Sequence, residues 1–112
     1  MRVVIPEVAD YEVRRSLILS NLTTSLVELD ARSSVMEYRP ITTPTMRRAA
    51  VMWADARRQG VPTGHHHSLD CDVIVAAEAM EIGGVVVTEN VGHMSRYVPT
   101  LEWRSLLQHL AP

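Results

Sequence analysis

Two aspartates, Asp70 and Asp72, flank a lone cysteine in the stretch Leu69 to Asn90, which reads LDCDVIVAAEAMEIGGVVVTEN. Val73, Ala76, Ala77 and Met80 recur behind them at helical intervals and Gly83–Gly84 follows as a stop, so both acids fall at a predicted helix start. A carboxylate there is favoured by free N–H groups and the helix dipole, and two exceed what a cap needs. Glu7 is a third acid of this kind. It follows Val3–Ile5 and Pro6, hence the first turn of a helix just past the carboxyl end of a strand, where open parallel sheets hold ligands. Asp72 holds an equivalent place ahead of the valine run Val85–Val87. Carboxylates brought together raise each other's pKa unless a cation neutralises them, and hard oxygen donors suit Mg²⁺ or Mn²⁺. Spacing alone leaves the other reading open, in which both acids are helix-start residues satisfied by backbone N–H groups.

The elements that must position these acids alternate. Val3–Ile5 reads as a strand and Pro6 as the first position of a helix carrying Val8, Tyr11, Leu17 and Ile18, with Asn21 as its stop. Thr23 or Thr24 caps a second helix with Leu22, Leu26 and Leu29 along one side. Glu37–Ile41 is a short strand that Pro40 confines to an edge or ends early. Thr43 and Pro44 open a third helix with Ala49, Met52, Trp53 and Ala56 as its core stripe and Gly60 as its stop. Gly60–Ser68 reads as a loop, Val85–Val87 as a buried strand without alternation, and Thr100 onward, through Trp103, Leu106, Leu107 and Leu110, as a last amphipathic helix. Strands alternating with helices predict parallel pairing and an α/β fold, a three-layer α/β/α sandwich formed as one domain over 1–112.

Composition narrows the function. With no lysine, eleven arginines and a net charge of -2, no overall field draws nucleic acid or an anionic membrane, so any such contact is local. The start lacks a signal-peptide core, no window reaches the ~18 apolar residues of a membrane span, and Cys71 has no disulfide partner, which together predict a cytoplasmic protein. His65, His66 and His67 are adjacent and cannot all face one zinc ion in regular structure. Ser68 lacks a nucleophile-elbow sequence, Gly60 and Gly64 lack a phosphate-loop lysine, and Trp53 and Trp103 fall on core stripes rather than a base-stacking platform.

The segments IPEVADYEVRRSL, PTMRRAAVMWADARRQG and DCDVIVAAEAMEIGGVVVTENVGH resemble, in order, the PIN domain family, which includes the toxin nucleases of VapBC-type toxin–antitoxin pairs. D-x-x-[I/V]-A-A followed by T-x-N after the next strand carries the likeness. The resemblance implies a parallel three-layer fold and a Mg²⁺- or Mn²⁺-dependent ribonuclease, with Glu7 and Asp72 as catalytic acids and metal ligands. It makes Asp70 an accessory ligand or cap, places Asn90 at a position often acidic or Asn, and has Thr88 orient that edge. Local arginine pairs would hold RNA, Arg14 and Arg15 nearest Glu7 in sequence and Arg47, Arg48, Arg57 and Arg58 on the third helix, although exposed arginines ordinarily pair with neighbouring acids.

The family's pattern begins with an apolar strand ending in Asp and one or two helices, ahead of the strand matched here by Val3–Ile5. The resemblance therefore implies an N-terminally truncated PIN-like chain lacking the central first strand and its metal-ligating acid, with impaired activity in this form. Three functions follow in order. The first is a ribonuclease; the second is a noncatalytic PIN-fold remnant pairing through exposed edges with an antitoxin or, as a homodimer, with itself. The third is a small-molecule phosphoester hydrolase on a similar sandwich.

Overall fold

The computed structural model describes residues 2–60, 66–88, 94–95 and 97–102, with the backbone alone over 66–70. The chain divides into two units, Met1–Thr42 and Thr43–Pro112.

In the first unit, β1 (Val4–Pro6) pairs in parallel with β2 (Glu37–Arg39), Ile5 opposite Tyr38. Arg2 extends the contact by binding the Glu37 carboxylate, its Nε 2.6 Å from Oε2. Parallel strands need a long crossover, supplied here by α1 (Glu7–Leu19) and α2 (Thr23–Val35). Pro6 is the cap and last strand residue rather than the first helical one, so Glu7 opens α1 directly. The expected stop at Asn21 takes a specific form. Asn21 has φ 56°, its N–H reaches the Ile18 carbonyl at 3.1 Å, and the Leu22 N–H reaches Leu17 at 2.9 Å, a Schellman turn. That turn delivers the chain into α2 so abruptly that Leu22 occupies the cap position, and neither Thr23 nor Thr24 caps. β2 stops at Arg39, ahead of Pro40, as a missing donor requires. Val8 is the only fully buried apolar side chain described in this unit, while Ile18, Leu19, Val27 and Val35 are exposed.

The second unit is built on α3 (Thr43–Arg58) against α4 (His66–Glu81). Thr45, Ala49 and Ala56 are the buried face of α3, and Ala49 meets Val73 and Ala77 of α4. Small residues let the helix backbones approach. Thr45 Oγ1 donates to Glu81 Oε2 at 2.9 Å, tying the start of one helix to the end of the other. Met52 packs against both this cluster and a second one, formed by Ala76, Ala79, Val86, Met94 and Val98. α4 is thus buried on several sides, as an all-round apolar helix should be, and Met80 at its end is exposed instead of core. Gly83, φ 62°, closes α4 with its N–H on Met80 at 3.2 Å and the Gly84 N–H on Ala79 at 2.8 Å, repeating the turn that ends α1.

Three expectations are corrected in this unit. α4 begins at His66, inside the predicted Gly60–Ser68 loop, because no Gly or Pro interrupts the run after Gly64. The valine run is not buried on both faces: in β3 (Val86–Thr88) Val86 is buried while Val85 and Val87 are exposed. Thr100–Glu102 is a strand, β4, pairing in parallel with β3, so ladder partners override the helical periodicity read there. Residues 103–112, including Trp103, Leu106, Leu107 and Leu110, lie outside the described residues. The described part is a helix-rich α/β fold whose short strands form two parallel two-stranded ladders.

Candidate functional site

Glu7 enters α1 where β1 ends, and its place is fixed by the neighbouring strand's exit. Its Oε1 accepts the Ile41 backbone N–H at 3.0 Å, two residues beyond β2. The carboxylate therefore sits at the shared carboxyl edge of the β1–β2 ladder, the position anticipated from sequence. One oxygen is oriented by the backbone, which pre-sets the direction of the other.

Around Glu7 lies an open cleft of about 530 Å³ lined also by Val8, Asp10, Tyr11, Arg14, Tyr38 and Ile41. Tyr38 Oη donates to Asp10 Oδ2 at 3.5 Å. Desolvation, and then the negative charges of Asp10 and Glu7, raise the Tyr38 phenol above its ordinary value, so it stays a neutral donor throughout the physiological range. Arg14 is shared between Asp10, at 3.1 and 3.2 Å, and Asp30, at 2.7 Å, joining α1 to α2. Those hydrogen bonds raise its pKa further, and a phosphate reaching Arg14 would compete with two carboxylates. Arg15 lies 3.9 Å from Glu12, with its guanidinium 5.1 Å over the Tyr11 ring.

The other sequence-predicted residues belong to the second unit. Asp72 is half-buried between the buried Cys71 and Val73, in the second turn of α4. Asp70 lies in that helix too, its side chain outside the described residues. Because α4 begins at His66, neither is a first-turn acid, and the cap role for Asp70 and the dipole argument for Asp72 do not apply. Val86 shares a buried cluster with Ala76 and Ala79 of α4, and β3 ends at Thr88, which is half-buried. Asn90 and His65 lie outside the described residues, as do the His66 and His67 side chains. Among the described residues no three acids, histidines or cysteines come together as a metal cluster. What Glu7 and Asp72 offer is hard carboxylate oxygen, the donor type that Mg²⁺ and Mn²⁺ take.

Sequence reasoning missed two features. Glu78 is buried at 1% exposure within α4, although it reads as an ordinary surface acid. Trp53, expected in the core, is 38% exposed and carries the Arg57 guanidinium 4.6 Å from its ring centre. No helix among the described residues is long and apolar enough to cross a membrane.

Compared by sequence, the chain matches no protein-family model and no curated protein. Compared by fold, it is similar to a chain in the structure of VapBC-1 from nontypeable Haemophilus influenzae, with a TM-score of 0.74 at 18% identity, over 92% of this chain and 75% of that one. The PIN-type resemblance read from the motifs and this structural neighbour agree in fold.

Proposed function

We propose that the chain is a PIN-type, metal-dependent ribonuclease of a toxin–antitoxin pair, its strands and helices arranged as the family's three-layer α/β/α sandwich. The observation that carries this reading is the fold shared with VapBC-1, taken with Glu7 at the carboxyl edge of its ladder. Glu7 and Asp72 would hold Mg²⁺ or Mn²⁺, with Asp70 and Asn90 as further ligands. When bound, such an ion lowers the pKa of water and neutralises charge on a phosphodiester. The chain's own part is positioning. The Ile41 N–H holds Glu7 in one orientation, the buried Val73, Ala76 and Ala77 lock the turn of α4 that presents Asp72, and Thr88 would orient the end of β3. Arg14 lines the Glu7 cleft and Arg15 follows it on α1, and both would contact RNA phosphates after exchange with their carboxylate partners.

A second reading is favoured by one observation. The α1–α2 pair leaves Ile18, Leu19, Val27 and Val35 exposed, Leu19 at 84% and Val35 at 83%, apolar side chains that a partner could cover. A noncatalytic PIN-fold module covered by an antitoxin or by a second copy would use that surface. Cleavage of a single-stranded RNA separates the two. The ribonuclease reading predicts Mn²⁺-stimulated cleavage, removed by chelation and by Asp72→Asn; cleavage that survives both would end it. Absence of cleavage together with tight, stoichiometric antitoxin binding would establish the module.

A further inference from the structure

We infer that the outer face of α3 is a stacking platform for single-stranded RNA, formed by Trp53 and Arg57. The inference deepens the ribonuclease reading by giving the substrate a second contact. Helix geometry sets the stage. Thr45, Ala49, Met52 and Ala56 form the face turned to α4, and Trp53, one residue on from Met52, is rotated about 100° from it, at the flank of that face. Met46, Ala50, Trp53 and Arg57 recur at i, i+4, i+7 and i+11 along this flank, and all are exposed. A tryptophan gains more from burial than any other side chain, so one left 38% exposed at the edge of an alanine-built interface is conspicuous. Its ring is not bare: the Arg57 guanidinium carbon lies over it, 4.6 Å from the ring centre. Indole and guanidinium planes are both surfaces on which unpaired bases stack.

Charge selects the occupant. The whole chain is mildly acidic, yet α3 carries four arginines against one aspartate. In the first unit Arg2, Arg14 and Arg15 are each engaged by a carboxylate. On α3 only Arg58 has one, Asp55 at 3.3 Å with both side chains well exposed. No carboxylate of the described residues pairs with Arg47 or Arg57. Arg47 and Arg58 lie about 16 Å apart along the helix axis and about 80–100° around it from Arg57, on the side turned away from α4, so they flank the platform rather than share its stripe. An occupant with flat faces and a string of negative charges fits this arrangement, and single-stranded RNA is such a polymer. An acidic protein would match the charge but would leave the stacked planes unused.

The test is binding of a fluorescein-labelled single-stranded oligouridylate to the full chain in excess chelator, so that no cleavage intervenes. Trp53→Ala should weaken binding about ten- to a hundred-fold, Trp53→Phe should keep it within about threefold, and Arg47→Ala should lower the salt dependence by about one counterion. Arg57→Ala, at an exposed site, should weaken binding with the circular dichroism melt unchanged. Equal binding by wild type, Trp53→Ala and Arg57→Ala overturns the platform, as does a dimer that Trp53→Ala converts to monomer, which would assign this face to a second copy. RNA binding that depends on Trp53 without any Mn²⁺-dependent cleavage would retain the platform and refute the nuclease. Cleavage with platform-independent binding would do the reverse.

Discussion

Thr45→Val probes the hydrogen bond that ties α3 to α4 and so holds the helix presenting Asp72. Thr45 is fully buried, and its hydroxyl donates to Glu81 at 2.9 Å. Valine replaces the hydroxyl with a methyl of similar size, so no cavity forms and the loss is that of one hydrogen bond to a part-buried carboxylate, about 1.5–3 kcal/mol. At this chain length each kcal/mol moves the melting temperature by about 4 °C, which predicts a fall of roughly 6–12 °C. Thermal unfolding followed by far-ultraviolet circular dichroism reads it directly. Thr45→Ser keeps the donor and loses only a buried methyl, so it should fall less. A double-mutant cycle with Glu81→Gln should show coupling between the two positions. A Thr45→Val protein that melts within 1 °C of wild type (~0.2 kcal/mol) would refute the assignment of this contact as the tie between the helices.

Backbone and titration predictions complete the set. Gly60→Ala and Gly83→Ala should each cost about 1 kcal/mol, because φ is 66° and 62° there while an added Cβ meets nothing within 4 Å, so strain acts alone. Gly84→Ala, at ordinary φ and 3.3 Å from the flexible Ile82 side chain, should cost less, and denaturant midpoints will rank the three. The Tyr38 phenol should ionise above its ordinary range in an absorbance titration of tyrosinate. Its folded pKa is raised, so its contribution to stability is complete below the ordinary phenol value near ~10 and is lost as pH rises through the folded value. Glu7→Gln removes one of the charges responsible and should lower that value without restoring it fully, since desolvation and Asp10 remain.

Much of the fold was legible where local chemistry and periodicity agree. Asn21, Gly60 and Gly83 end helices because each sits in the left-handed region that Asn and Gly tolerate, and Pro40 ends β2 because it cannot donate to the ladder. The errors share a cause in tertiary packing. A histidine–serine run reads as loop, but without a breaker it extends α4 by a turn and moves Asp70 and Asp72 away from the helix start. Trp53 reads as core by size and spacing, yet the interface with α4 is centred on alanines that pack closely and leave the ring at the flank. Thr100 onward has helical periodicity, but strand pairing to Val86–Thr88 decides its state. Glu7 was readable because strand end, proline and helix start are adjacent in sequence. Its anchoring by the Ile41 N–H was not, since that partner lies 34 residues away.

The ribonuclease proposal rests on Glu7 and Asp72 each being a ligand for a divalent ion. Crystals of the chain soaked in Mn²⁺ and measured at the manganese edge test it most directly. Mn²⁺ is expected about 2.0–2.2 Å from a carboxylate oxygen of Glu7 and of Asp72, with the density at position 72 lost in Asp72→Asn. A Mn²⁺-soaked crystal with no anomalous peak at either carboxylate would contradict it.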